Sequence, residues 1–328
     1  MPKRQSPLWF PRARNPPREV KVVTSVATSR FFFSGQAVRS VCLFVLLVVA
    51  CAEPVAAQSR LNRPPPRYFQ LSPPDQSEGA RILADMRALG PDGGYYFEFE
   101  LRVLPRRGDE TRIPGRLWGG RNTAGPISRL TLLAPATAAG APASERRMLV
   151  QGGPDPSAWQ WPSASGTSAI VVDDAMLFAP LAGTDLSAFD LQMPFLYWTD
   201  FIYEGKTRLN NRPVETFLLY PPASLARHRP DLAAVRVYLD PEYKALVRAE
   251  QIGDGERVLK SFSLGGLVKI DGRWTPRSFE LRDETTRNKT RFVITAAALG
   301  IDFAGAVFDP GNLSGGLRPP SNLTRLSE

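Results

Sequence analysis

The sequence predicts a mainly β (α+β) chain built on one meandering antiparallel sheet. Three observations predict it. Short runs alternate apolar and polar side chains with period two. They recur at roughly 10–15-residue intervals between Gly, Pro, Asn and Asp turns. No long amphipathic helix separates them as βαβ units would require. The composition supports a sizeable core, with 43% apolar and 22% charged residues in 328. A single histidine, His228, and two cysteines, Cys42 and Cys51, exclude a Cys/His zinc site, a disulfide framework and most histidine-based catalysis. The net charge of +9 is concentrated near the start, where eight basic residues stand against Glu19 and Glu53 in the first 57 positions. The remainder carries 33 basic and 30 acidic residues, which is not a nucleic-acid footprint.

Residues 1–57 read as a signal peptide. The apolar run 41–52 is too short for the roughly 17–25 residues of a spanning helix and fits an h-region. Glu53-Pro54 ends it, and Val55-Ala56-Ala57 offers small residues for cleavage after Ala57. A competing reading takes Val48-Val49-Ala50-Cys51 as a lipobox, with Cys51 the lipidated first residue of a lipoprotein. An uncleaved anchor is a third reading, and the spread of basic residues before Val41 leaves the true start codon open.

Residues 58–74 form a Pro-rich tether. A helix follows, capped by Asp75 or Ser77, carrying Ala80, Leu83 and Ala84 and stopped by Gly90-Pro91. Tyr95, Phe97, Phe99 and Leu101 then alternate with Tyr96, Glu98, Glu100 and Arg102 in a first strand. The turn 106–109 leads to strands at 112–118, 128–133 and 147–151, and 152–162 reads as a loop holding Trp159 and Trp161. Residues 173–204 are apolar without clean alternation, which predicts short helices. The last third returns to strands at 212–219, 235–240, 245–252, 258–264, 267–270, 274–282 and 290–299. Pro221-Pro222, Pro241, Gly253-Asp254-Gly255 and Asp271-Gly272 punctuate them.

The order of short motifs in this ladder is specific. Tyr203-Glu204-Gly205 precedes Leu209-Asn210-Asn211-Arg212-Pro213-Val214, then Val235-Arg236-Val237-Tyr238-Leu239-Asp240, then Val258-Leu259-Lys260-Ser261-Phe262. Asp271-Gly272-Arg273-Trp274-Thr275-Pro276, Asn288-Lys289-Thr290 and Phe308-Asp309-Pro310-Gly311-Asn312-Leu313 complete the series. The chain thereby resembles the outer-membrane lipoprotein-sorting protein family, the LolA/LolB-like periplasmic carriers, most clearly over 200–313. The resemblance implies a curved, incompletely closed antiparallel β-barrel with helices covering the concave face, in a single domain spanning 75–313 with a C-terminal tail at 314–328. It also implies a hollow that binds acyl chains. The carriers' clasping arginine has no assignable position in this chain.

Few residues point to chemistry. His228 lies in a loop by composition and has no orienting partner in sequence. Neither Ser165-Gly166 nor Ser263 sits in a nucleophile elbow. Asp173-Asp174 and Asp283-Glu284 read as surface or capping carboxylates, and Gly119-Gly120 and Gly265-Gly266 as bulges or bends. No catalytic residue, metal ligand or cofactor is assigned. The aromatic group Phe195, Tyr197, Trp198, Phe201 and Tyr203 either packs a core or lines and gates a cavity. Strand phase turns Val237, Leu239, Phe262 and Phe279 inward. The expected apolar cavity is therefore lined by Phe195, Trp198, Phe201, Val237, Leu239, Phe262 and Phe279. The function expected is an exported, non-enzymatic carrier or chaperone that moves lipid or lipoprotein acyl chains toward the outer membrane, with an inner- or outer-membrane protein as partner and no nucleic acid. The alternative is a membrane-tethered scaffold of the same fold for an envelope protein or polysaccharide.

Overall fold

The computed structural model describes residues 63–134, 144–162 and 168–327. The expected export segment 1–57, with Cys42, Cys51 and Ala57, lies outside them, as does Ser165-Gly166. The chain is mainly β. In order it forms α1 (Gln76–Ala88), β1 (Gly94–Leu104), β2 (Thr111–Asn122), β3 (Gly125–Ala134), β4 (Ser144–Gln151), β5 (Ser157–Trp161) and β6 (Ile170–Val171). Then come α2 (Ala188–Gln192), β7 (Phe201–Leu209), β8 (Arg212–Leu219), α3 (Ala223–His228), β9 (Ala234–Asp240), β10 (Ala245–Ile252), β11 (Val258–Ile270), β12 (Arg273–Asp283), β13 (Lys289–Ile301) and β14 (Thr324–Arg325). All 14 strands among the described residues belong to one antiparallel sheet, ordered β6-β5-β4-β3-β2-β1-β13-β12-β11-β10-β9-β8-β7, with β14 added beside β13. Its two end strands, β6 and β7, do not pair, so the sheet is not closed.

Local chemistry accounts for most of these boundaries. Asp75 caps α1 by accepting from the Ser77 amide at 2.8 Å. Asn210 and Asn211, with φ of 49° and 66°, make the two-residue turn between β7 and β8. Asp271 (φ 48°) and Gly272 (φ 79°) do the same between β11 and β12. Such turns need positive φ at both central residues, which Asn, Asp and Gly tolerate best.

The sheet is covered on both faces near its ends. Phe217, Leu219, Val235, Val237 and Leu239 point into the main core. Leu218, Tyr220, Ala234 and Ile252, on the opposite face, form a second small cluster. The Pro-rich segment, from residue 63 on, lies over that second cluster. Tyr220 donates to the Pro64 carbonyl at 3.1 Å, and the Arg63 guanidinium sits 3.4 Å from the Tyr220 ring centre. The same segment covers the buried pair Arg236–Glu204, which is 1% and 0% exposed and joined by bonds of 2.8 and 3.1 Å. At the other end, Ile127 and Leu149 pack with Leu313. Buried Arg129 of β3 donates to the carbonyls of Asn312 (3.2 Å), Leu313 (3.3 Å) and Gly315, which clamps the closing motif 308–313 onto the sheet.

Edge strand β7 is protected by a side chain. The Gln76 amide accepts from the Tyr203 N–H at 2.8 Å and donates to the Tyr203 carbonyl at 2.9 Å, which satisfies groups that an open edge would present to another chain.

Several expectations are corrected. The loop expected at 152–162 contains β5, because Trp159 pairs opposite Leu149 of β4. Residues 201–204, expected within a helical stretch, begin β7. His228 ends helix α3, which starts directly after Pro222. It is not without a partner: its Nδ1 lies 3.1 Å from the Ser224 carbonyl and 3.3 Å from Asp174. The two strands expected at 258–264 and 267–270 are one, with register shifts at Gly266, so Gly265-Gly266 is the expected bulge. Gly119-Gly120 is not one. The β2 register runs through it without a break, and a Cβ on Gly119 would lie 2.1 Å from the Tyr95 ring. The tail 314–328 supplies β14.

The sheet forks twice at one end. β10 pairs with β11 only up to Arg248 opposite Ser263, so Ala245 and Leu246 pair with β9 alone. β12 pairs with β13 only up to Ser278 opposite Val293. Beyond that point β14 takes its place, opposite Ala296 and Ala297.

Candidate functional site

A cavity of about 560 Å³ opens beneath the centre of the sheet. Its walls are predominantly apolar. Tyr95 and Phe97 come from β1, Phe279 and Leu281 from β12, Phe262 from β11, and Leu299 from β13. The segment before and along α2 contributes Leu186, Leu191 and Met193. Alternation explains the strand contribution, since every second side chain of each strand turns to the same face. Adjacent rings run across four strands as one surface. Phe99 stacks on Phe292 at 3.9 Å, Phe292 on Phe279 at 4.4 Å, and Phe279 meets Phe262 at 5.4 Å. Burial in the wall raises the Tyr95 phenol above its ordinary pKa, so at neutral pH it adds a ring and no charge.

The α2 segment is fastened to the sheet by polar contacts at the rim. Ser187 and Asp190 form a reciprocal capping box at the start of α2. Asp190 also accepts from Lys260 Nζ at 2.5 Å and from Gln251 Nε2 at 3.1 Å. Upstream, the Asp185 amide donates to Thr290 Oγ1, and that hydroxyl donates back to the Asp185 carboxylate, both at 2.9 Å. Met193 ends α2 in the left-handed region, with φ of 46°, and turns the chain into the short 3-10 helix Pro194–Tyr197.

The expected lining residues divide in two. Phe262 and Phe279 line the cavity. Val237 and Leu239 are buried in the main core. Phe195 and Trp198 pack with Phe189 at ring separations of 5.9 to 6.4 Å. Phe201 meets Phe217 edge-on at 6.2 Å. Phase alone could not locate the remaining walls. Phe97 and Phe292 carry the same alternation signal as Phe279, but the signal does not tell which part of an apolar face is left uncovered. Among the described residues no cluster of His, Cys, Asp and Glu could hold a metal ion, and no helix is long and apolar enough to cross a membrane.

A family model described only as that of an uncharacterized protein matches residues 141–315. The fold also matches solved structures. A domain from Vibrio parahaemolyticus, described as an outer membrane lipoprotein-sorting protein, shares 14% identity with a TM-score of 0.62, covering 73% of this chain and 99% of that one. The fold is LolA-like. A LolA superfamily protein from Nitrosomonas europaea aligns with a TM-score of 0.51 at 14% identity, over 70% of this LolA-like chain and 96% of its own. A DUF1329 family protein from Desulfovibrio piger aligns with a TM-score of 0.60 at 16% identity, over 72% and 98% respectively. No curated protein matches the LolA-like chain by sequence.

Proposed function

We propose that the protein is an exported, non-enzymatic carrier or chaperone that holds the acyl chains of a lipid or lipoprotein in the 560 Å³ cavity. In this reading the sheet is a curved, incompletely closed barrel and the α1 and α2 segments cover its concave face. The chain works in the periplasm after cleavage near Ala57, or anchored at Cys51, and delivers its cargo toward the outer membrane. The observation that carries the reading is the cavity. Its volume falls within the roughly 300–1,000 Å³ typical of ligand sites. Its walls offer rings and aliphatic side chains, and its buried carboxylate, Asp190, is already engaged by Ser187, Gln251 and Lys260. Each methylene drawn into such a space gains about 0.8 kcal/mol, so a single acyl chain binds usefully without a charged contact. The likeness to lipoprotein-sorting folds supports the same reading. A filled interior would have favoured the scaffold alternative.

Native mass spectrometry of protein purified from the periplasm, joined to displacement of a fluorescent fatty acid, tests the proposal. Co-purified lipid and saturable displacement are expected. Repeated purification without lipid, together with no binding of the probe, would overturn it.

A further inference from the structure

The turn end of the β11–β12 hairpin stands apart from the rest of the sheet. Past the two forks, its strands pair with each other and with neither β10 nor β13. In this part Leu267 lies opposite Pro276 and Lys269 opposite Trp274. Cross-strand partners share a face, so these four side chains form one surface. Its other side is anchored, because Ile270 is buried in the main core and Val268 packs against it. The outward surface is apolar and open, with Trp274 56% and Leu267 40% exposed.

One cation, Lys269, stands on this apolar surface. Lys269 is exposed and has no ion-pair partner among the described residues. Arg273, opposite Ile270 on the anchored side, donates to the Asp92 carbonyl at 3.1 Å, and Arg277 donates to the Ser327 carbonyl. These bonds hold the guanidinium groups without cancelling their charge. Asp271, in the turn itself, is the acidic residue of the stretch 264–277. Another exposed apolar patch, Tyr68, Phe69 and Leu71, differs in this respect. Its neighbouring Arg63 and Arg67 are paired with Asp200 and Glu256.

The hairpin end also borders two apolar spaces. Trp274 and Pro276 line the 560 Å³ cavity, and both residues line a second space of about 630 Å³ with Leu209, Val214, Leu246 and Leu264. An interfacial Trp beside a Lys is a side-chain pattern that settles at a bilayer headgroup layer. Anionic headgroups complement the unpaired Lys269 ammonium.

We infer that the Leu267–Lys269–Trp274–Pro276 face docks the protein on an anionic phospholipid bilayer and that acyl chains pass this hairpin on their way into the cavity. The second clause rests on the carrier reading, whereas the docking does not.

Co-sedimentation tests it, with vesicles of phosphatidylcholine alone and of equal parts phosphatidylcholine and phosphatidylglycerol. The wild-type chain is expected to sediment with the anionic vesicles and to be released as salt rises. Lys269→Glu and Leu267→Glu are each expected to weaken that binding on the order of tenfold. Neither residue lines the 560 Å³ cavity, so fatty-acid probe binding by both variants stays at the wild-type level. Circular dichroism confirms that they fold. Wild-type protein that ignores anionic vesicles, binds both compositions equally, or is matched by both variants would overturn the docking. Loss of the carrier reading alone would look different: no probe bound by any form, with vesicle binding intact.

Discussion

Two regions of one sheet use the same alternating pattern to opposite ends. In β7–β10 the inward side chains Phe217, Leu219, Val235 and Val237 are fully buried, and the space against the α2 segment is closed. Phe195 and Val235 share only a crevice of about 20 Å³. In β1 and β11–β13 the inward side chains are rings that stack on one another, and a cavity of about 560 Å³ stands over them. The difference lies in the cover. Phe195 comes down onto the first region beside Val235 and Ala249, whereas Leu186, Leu191 and Met193 reach the second as smaller or more flexible groups. Strand phase therefore sets which side chains face inward, and the covering segment sets whether the space above them is filled.

The largest expected effect breaks the solid region from its outer side. Glu204→Gln leaves the Arg236 guanidinium buried beside a neutral partner. Burial alone would lower the Arg236 pKa, and the hydrogen bond and charge of Glu204 outweigh it and hold the group above its ordinary value. Removing one member of a buried pair typically costs about 3–5 kcal/mol, because the other charge is left uncompensated. Urea unfolding should show a loss in that range, and replacing both residues by apolar ones of similar volume should recover most of it. A loss under about 1 kcal/mol for the single variant would mean that water reaches the pair.

Matched truncations then sharpen the contrast directly. Phe217→Ala in the solid region should cost roughly 3–5 kcal/mol, the usual cost of a large-to-small core change. Phe279→Ala should cost about 1–2 kcal/mol less, because one side of that ring already faces empty space and loses fewer contacts. It should also enlarge the cavity and change the chain length of fatty acid preferred in a competition series. Equal costs with no change in preference would mean that the two regions are packed alike.

The contrast explains what could be read before the structure was known. The strands of the last third were legible because alternation, Asp-Gly and Gly-Asp-Gly turns and proline breaks all agree there. β5 was not, since Trp159 and Trp161 lie between Pro156 and Pro162, and only pairing with β4 makes that stretch a strand. Helix α3 was hidden by Pro221-Pro222, where a break signal and a helix start coincide. At the cavity, phase turned Phe262 and Phe279 inward, and both lie in its wall. It equally turned in Val237 and Leu239, which lie under the filled part. Phe195, Trp198 and Phe201 carried the strongest aromatic signal and ended as core, because segments without strand or helix periodicity give no direction for their side chains.

A smaller effect is expected where the cover is fastened. Asp190→Asn keeps the shape of the side chain but removes the charge that Lys260 Nζ meets at 2.5 Å. Both side chains are largely buried, at 8% and 16% exposure, so the charged hydrogen bond should be worth about 1.5–3 kcal/mol. Part of that loss should appear as faster entry of a fatty-acid probe in stopped-flow mixing, since the same contact holds the α2 segment over the cavity. Unchanged entry rates would make Asp190 a purely structural cap of α2.

The smallest effect separates two functions of the C-terminal strand. Arg325 pairs with Glu98 at 3.2 Å but is 75% exposed, and exposed pairs of this kind are worth about 0–1 kcal/mol. Arg325→Ala should therefore leave both the urea midpoint and probe binding nearly unchanged. Leu326 is different: it packs against the main core, and its amide donates to the Thr295 carbonyl at 2.9 Å, in the gap that β12 leaves beside β13. Leu326→Ser keeps the backbone pairing and removes an apolar contact with the core, so it should speed probe release while costing little stability. If Arg325→Ala speeds release as much as Leu326→Ser, the surface ion pair and not the buried side chain closes the gap, and the hollow region is sealed by charge where the solid region is sealed by packing.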